Sequence, residues 1–71
     1  MNHKPDRKKM AEDYLDTLES IRNAWSMGGD ARHLDVQRKD LYQAMLDETG
    51  KTAAEFPIGQ KLAYDILDGK I

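Results

Sequence analysis

The chain contains no cysteine, only two prolines, and one tryptophan and one phenylalanine among its 71 residues. Without cysteine it has neither a disulfide framework nor a thiolate zinc site to supplement its core. It also lacks any apolar run near the roughly 20 residues of a membrane-spanning helix, and its basic start leads into acidic residues, unlike a signal peptide. We therefore expect one cytoplasmic domain with no membrane contact, near the lower size limit for independent folding.

Charge is unevenly distributed, although the formal net charge is only −2. Residues 1–10 carry a balance of +3 and residues 11–27 a balance of −3. A strongly basic domain would have indicated nucleic acid, and the chain as a whole is not one. Because chain termini usually fray, we predict that residues 1–9 form a flexible basic arm before a single helical domain over 10–71. The cations of this basic arm are Lys4, Arg7, Lys8 and Lys9.

Apolar residues recur at helical spacing in three segments, and no alternation typical of β-strands persists. The first predicted helix runs from about residue 7 to residue 27, and the second from about 31 to 48. Thr52 and Glu55 form a capping-box pattern, but Pro57 interrupts the segment, so we predict a short turn over 52–56 and a third helix over 58–68. The predicted fold class is therefore all-α, a small three-helix bundle with an extra turn. The expected core stripes are Met10, Tyr14, Leu18, Ile21 and Trp25; Leu34, Leu41 and Met45; and Ile58, Leu62 and Ile66.

Residues 50–52 (GKT) invite comparison with the phosphate-binding loop of nucleotide-binding proteins. That loop needs a further glycine five residues before its Gly-Lys-Thr, and Met45 occupies this position. His3 and His33 have neither cysteine partners nor the paired spacing of a zinc site, and no serine or histidine lies in a recognisable nucleophile setting. We therefore predict no cofactor, no metal, no small-molecule substrate and no enzymatic activity.

Residues 50–56 (GKTAAEF) and 64–70 (YDILDGK) resemble parts of the repressor-type helix-turn-helix family of bacterial and phage regulators. The first stretch is similar to the entry of that family's second helix, and the second stretch to the end of its recognition helix. The chain between the two stretches is several residues shorter than in that family. The resemblance implies a sequence-specific DNA-binding transcriptional regulator, with Gln60, Lys61 and Tyr64 at base edges, because glutamine pairs with adenine and lysine with guanine.

Because we predict no enzymatic activity, we expect the chain to function by binding. The leading hypothesis is a small non-catalytic regulatory protein that binds a larger protein partner, such as part of the transcription apparatus; DNA binding is the alternative. The basic arm would supply electrostatic contacts, and Tyr14, Leu18 and Trp25 the anchors. From the sequence, Trp25 suits either this role or that of a core anchor that closes the helical layer. A homodimer would also bury more of the apolar stripes.

Overall fold

The computed structural model describes residues 6–71 and contains three helices: α1 (Arg7–Ser26), α2 (Arg32–Thr49) and α3 (Gly59–Leu67). No strand occurs in that part of the chain, so the predicted all-α three-helix fold is confirmed. The predicted extra turn is also present, at residues 53–55. Arg7, Lys8 and Lys9 belong to α1, which begins where the first helix was predicted to begin, and Lys4 lies outside the described residues.

Local signals in the sequence account for the ends of the first two helices. The Asp6 carboxylate accepts a hydrogen bond of 3.0 Å from the backbone N–H of Lys8 and so caps α1. Gly28 and Gly50 follow α1 and α2 with φ angles of 71° and 69°. A residue without a Cβ atom adopts this left-handed conformation at little cost, so each glycine ends its helix.

Polar contacts hold the connection between α2 and α3. The backbone N–H of Thr52 donates to the Glu55 carboxylate at 3.0 Å, and the N–H of Glu55 donates to the Thr52 hydroxyl at 3.3 Å, which confirms the capping box. The box encloses a single turn, because Pro57 lacks the N–H that a continuing helix needs. The Tyr42 hydroxyl donates to the carbonyl oxygen of Phe56 and thereby ties this connection to α2.

Helix α1 is the central element of the fold. It packs closely against both α2 and α3, whereas α2 and α3 have few backbone contacts with each other. Ile58, expected on the apolar stripe of the third helix, is 63% exposed and lies one residue before the start of α3. The main core consists of Ala11, Tyr14, Met45, Leu46, Leu62, Ala63 and Ile66.

Candidate protein-binding site

Trp25 occupies a core-facing position on α1 and is nevertheless exposed. Its spacing places it in line with Leu18 and Ile21, on the face of α1 that the other helices cover. Ile21 is only 5% exposed, whereas Trp25 is 69% exposed. Gln60 and Tyr64 of α3 line a groove with α1 that includes Arg22, whereas the depression beside Trp25 is lined by residues of α1, α2 and their connection. The apolar face of α1 therefore extends beyond the part that the other helices bury. The expectation that Trp25 is a core anchor is wrong.

An open depression of about 360 Å³ lies beside Trp25, at the end of the α1–α2 hairpin. Ile21 and Ala31 are buried and give it an apolar floor, and Met27 is exposed in the adjoining turn. We call Trp25, Met27 and this depression the hairpin end. The depression is lined by Ile21, Trp25, Gly29, Asp30, Ala31, Arg32 and Asp35.

The charged groups around the depression are paired within the chain. The Arg32 guanidinium donates to the Asp30 carboxylate at 2.9–3.2 Å, and Arg38 donates to Asp35 at 2.7 Å. These hydrogen bonds hold the pKa of both carboxyl groups below its usual value. Both carboxylates therefore stay ionised and paired at neutral pH, and the rim offers little uncompensated charge to a charged ligand.

A second groove of about 250 Å³ lies between α1 and α3. The Gln60 amide donates to the Tyr64 hydroxyl at 3.4 Å, and both side chains line this groove. Arg22 lies three residues before Trp25, so the groove adjoins the hairpin end along one face of α1. The combined surface contains tryptophan, tyrosine and arginine, the residues most enriched at binding hot spots. The groove is lined by Leu15, Leu18, Glu19, Arg22, Gln60 and Tyr64.

The three predicted apolar anchors have different environments. Tyr14 is 3% exposed and lies in the core cluster with residues of α2 and α3, so little of its side chain is accessible to a partner. Leu18 is half-buried in the α1–α3 groove. Only Trp25 presents most of its side chain to solvent. Of the three predicted anchors, Trp25 is therefore the most accessible, and Leu18 is partly accessible beside it.

The basic residues at the start of α1, Arg7 to Lys9, lie far from Trp25. Arg7 and Trp25 are 18 residues apart on one helix, which corresponds to about 27 Å. Arg7 is 3.9 Å from the Glu48 carboxylate on α2, and Lys9 is 2.9 Å from the Asp13 carboxylate. Exposed ion pairs of this kind contribute little to stability. The predicted electrostatic and apolar contacts thus form two separate surfaces, one at each end of α1.

The residues that the helix-turn-helix resemblance places at base edges all belong to α3. Gln60 is half-buried beside α1, Tyr64 is partly exposed at the groove, and Lys61 is exposed. Lys61 is also the only cation in α3. The connection between α2 and α3 has nine residues, 50–58, and the two helices have few backbone contacts, whereas a helix-turn-helix pair is joined by three or four residues.

Reversing the charge of Lys61 tests DNA binding independently of protein docking. If α3 contacts DNA, Lys61→Glu should abolish binding, because it replaces a phosphate- or guanine-contacting cation with a repelled anion. We expect docking at the hairpin end to be unaffected. Fluorescence anisotropy with labelled duplexes at two salt concentrations measures the first effect. Equal DNA affinity of the wild-type and Lys61→Glu proteins would contradict the recognition-helix assignment.

No protein-family model matches this chain, and comparison with characterised proteins and with solved structures also gives no match. Over residues 6–71, no group of three or more metal-binding side chains is placed to hold an ion. None of the helices in the described part of the chain has the length and apolar character needed to cross a membrane. The candidate function therefore depends on the geometry of the hairpin end.

Proposed function

We propose that this chain is a small non-catalytic regulatory protein that binds a larger protein partner at the hairpin end. The observation that carries the proposal is the exposure of Trp25, 69%, at a position on the core-facing stripe of α1. Burying a large apolar side chain stabilises a complex by about 1.5–3 kcal/mol relative to leaving it in water. A partner that covers Trp25 gains this free energy without any rearrangement of the helices.

The surroundings of Trp25 support a protein partner. The depression combines an apolar floor with a polar, charge-paired rim, which is the arrangement of core and rim in protein interfaces. Arg22 and Tyr64 extend the surface along α1, and both residue types are enriched at hot spots. The resemblance of residues 50–70 to transcriptional regulators is the reason to seek this partner in the transcription apparatus.

Capture experiments with Trp25→Ala test the proposal. The full chain serves as bait in a native lysate, with and without nuclease, and Val36→Ala is the matched control. Val36 is 59% exposed on α2 and does not line the hairpin end. We expect Trp25→Ala to weaken the complex about 30-fold or more, as for other hot-spot residues, and Val36→Ala to leave it unchanged.

The comparison with and without nuclease distinguishes a direct protein contact from one bridged by nucleic acid. Direct docking at the hairpin end should survive nuclease and moderate salt. Circular dichroism should show the same helix content for both variants, because each replaces an exposed side chain. A complex that persists with Trp25→Ala, or one that disappears with nuclease, contradicts the proposal.

A further inference from the structure

The hairpin end carries both a projecting aromatic side chain and a depression with room for one. Trp25 itself forms a wall of the depression of about 360 Å³, whose floor is Ile21 and Ala31. A projection beside a cavity is complementary to a second copy of the same surface. In a two-fold pair, each projection meets the other copy's cavity, because the same patch is used on both subunits.

We propose that a second copy of this chain docks on the hairpin end across a two-fold axis, so that the Trp25 side chain of each copy enters the depression of the other and packs against the Trp25 that lines it. The dimer covers the surface that the protein partner uses, so self-association lowers the concentration of binding-competent chain. That regulatory consequence rests on the proposed function, whereas the dimer itself does not.

The distribution of charge favours this surface over the rest of α1 for self-association. Around the depression, Asp30 and Asp35 are each paired with a guanidinium of the same copy, so two identical rims approach without strong repulsion. The outer face of α1 instead exposes Glu12 and Asp16, which form no ion pair within residues 6–71. Two such acidic faces would repel each other.

The area of the surface predicts a weak dimer. An aromatic side chain buries about 150–250 Å², whereas a stable interface buries about 800 Å² on each partner. Trp25 and Met27, with the exposed parts of Leu18 and Tyr64, provide less than this area, as in weak, transient interfaces. We therefore expect a dissociation constant on the order of 10–100 μM, so that monomer and dimer exchange readily.

The fluorescence of Trp25 provides a direct test, because it is the only tryptophan in the chain. The purified full chain is examined alone, from about 1 μM to 1 mM, a range that spans the expected dissociation constant. We expect the emission maximum to move to shorter wavelength as the indole leaves water. In sedimentation equilibrium, the mass should rise from 8.1 kDa to twice that value with the same midpoint.

Two variants make the test specific for the surface. Trp25→Ala should remain monomeric over the whole concentration range, and Val36→Ala should dimerise like the wild type; thermal melts by circular dichroism verify that both fold. A wild-type chain that stays monomeric at the highest concentration overturns the dimer, as does a Trp25→Ala chain that dimerises with an unchanged midpoint.

Failure of the dimer and failure of the proposed function give different results. If the chain dimerises through Trp25 but Trp25→Ala still captures the partner, only the proposed function is wrong. If the chain stays monomeric while Trp25→Ala loses the partner, only the dimer is wrong.

Discussion

Leu62→Ala is expected to lower the free energy of unfolding by about 2–5 kcal/mol. Leu62 is 0% exposed and belongs to the cluster that joins α3 to α1 and α2. Truncation removes its apolar transfer free energy and leaves a cavity that the surrounding helices fill only in part. A chain of this length has a total unfolding free energy of about 4–11 kcal/mol, so this single substitution removes a large share of it.

Urea denaturation followed by circular dichroism measures the Leu62→Ala effect. Lys61→Ala is the matched control, because it changes the preceding, exposed residue of the same helix, and its effect should be within about 0.5 kcal/mol. If Leu62→Ala costs less than about 1 kcal/mol, α3 is not packed on α1 as described here, and the explanation for the exposure of Trp25 fails with it.

The helices were predictable because short-range signals set most of their ends. Asp6, Gly28 and Gly50 act on the turns next to them, and Pro57 breaks the helix within its own segment. Such effects involve residues only a few positions apart, so a single sequence contains them. The capping box at Thr52 follows the same logic, although it encloses a turn and does not start a long helix.

The exposure of individual stripe residues was not predictable in the same way. Tyr14 and Trp25 share one stripe and one periodicity, yet the first is buried and the second is exposed. Periodicity identifies the face of α1 that turns inward, but how much of that face is buried depends on where α3 lies. That position results from long-range packing, which leaves no local pattern in α1. The sequence therefore pointed to Trp25 without deciding between a core residue and a contact residue.

The central position of α1 also buries residues that a single apolar stripe does not include. Ala11 and Thr17 are buried because both α2 and α3 pack closely against α1. The Thr17 hydroxyl donates to the Asp13 carbonyl at 2.8 Å and accepts from the Gln37 amide at 3.3 Å, so the buried polar group is satisfied. An alanine and a threonine give only a weak hydrophobic signal, and the width of the buried face was accordingly underestimated.

Trp25 and Leu62 illustrate two different purposes that large apolar residues serve in a chain this small. Leu62 contributes to unfolding free energy because it is enclosed, and we expect its loss to affect folding first. Trp25 contributes little to the isolated fold because most of its surface already contacts water. Its effect should be measurable in association, with a partner or with a second copy.

Gly59→Val is expected to destabilise the fold by about 3 kcal/mol, because there is no space for a side chain at this position. A Cβ atom on Gly59 would lie 2.7 Å from Cζ of Tyr14 and 2.9 Å from Cδ1 of Tyr42. Tyr14 is buried, and the Tyr42 hydroxyl is bonded to the Phe56 carbonyl, so both rings are held in place. The φ angle of Gly59 is not positive, so the requirement for glycine is one of space and not of backbone conformation.

For Gly59→Ala, the sign of the change in stability distinguishes steric overlap from helix propensity. Helix propensity alone would make alanine more favourable than glycine by up to about 1 kcal/mol, whereas steric overlap makes it less favourable by about 1–3 kcal/mol. We expect a lower urea midpoint for Gly59→Ala than for the wild type, and a still lower one for Gly59→Val. Because α3 must then move away from Tyr14, both variants should also bind more of a hydrophobic dye than the wild type. If Gly59→Ala proves more stable than the wild type, the start of α3 lies farther from Tyr14 than this structure has it. The face of α1 around Tyr14 is then less buried than described.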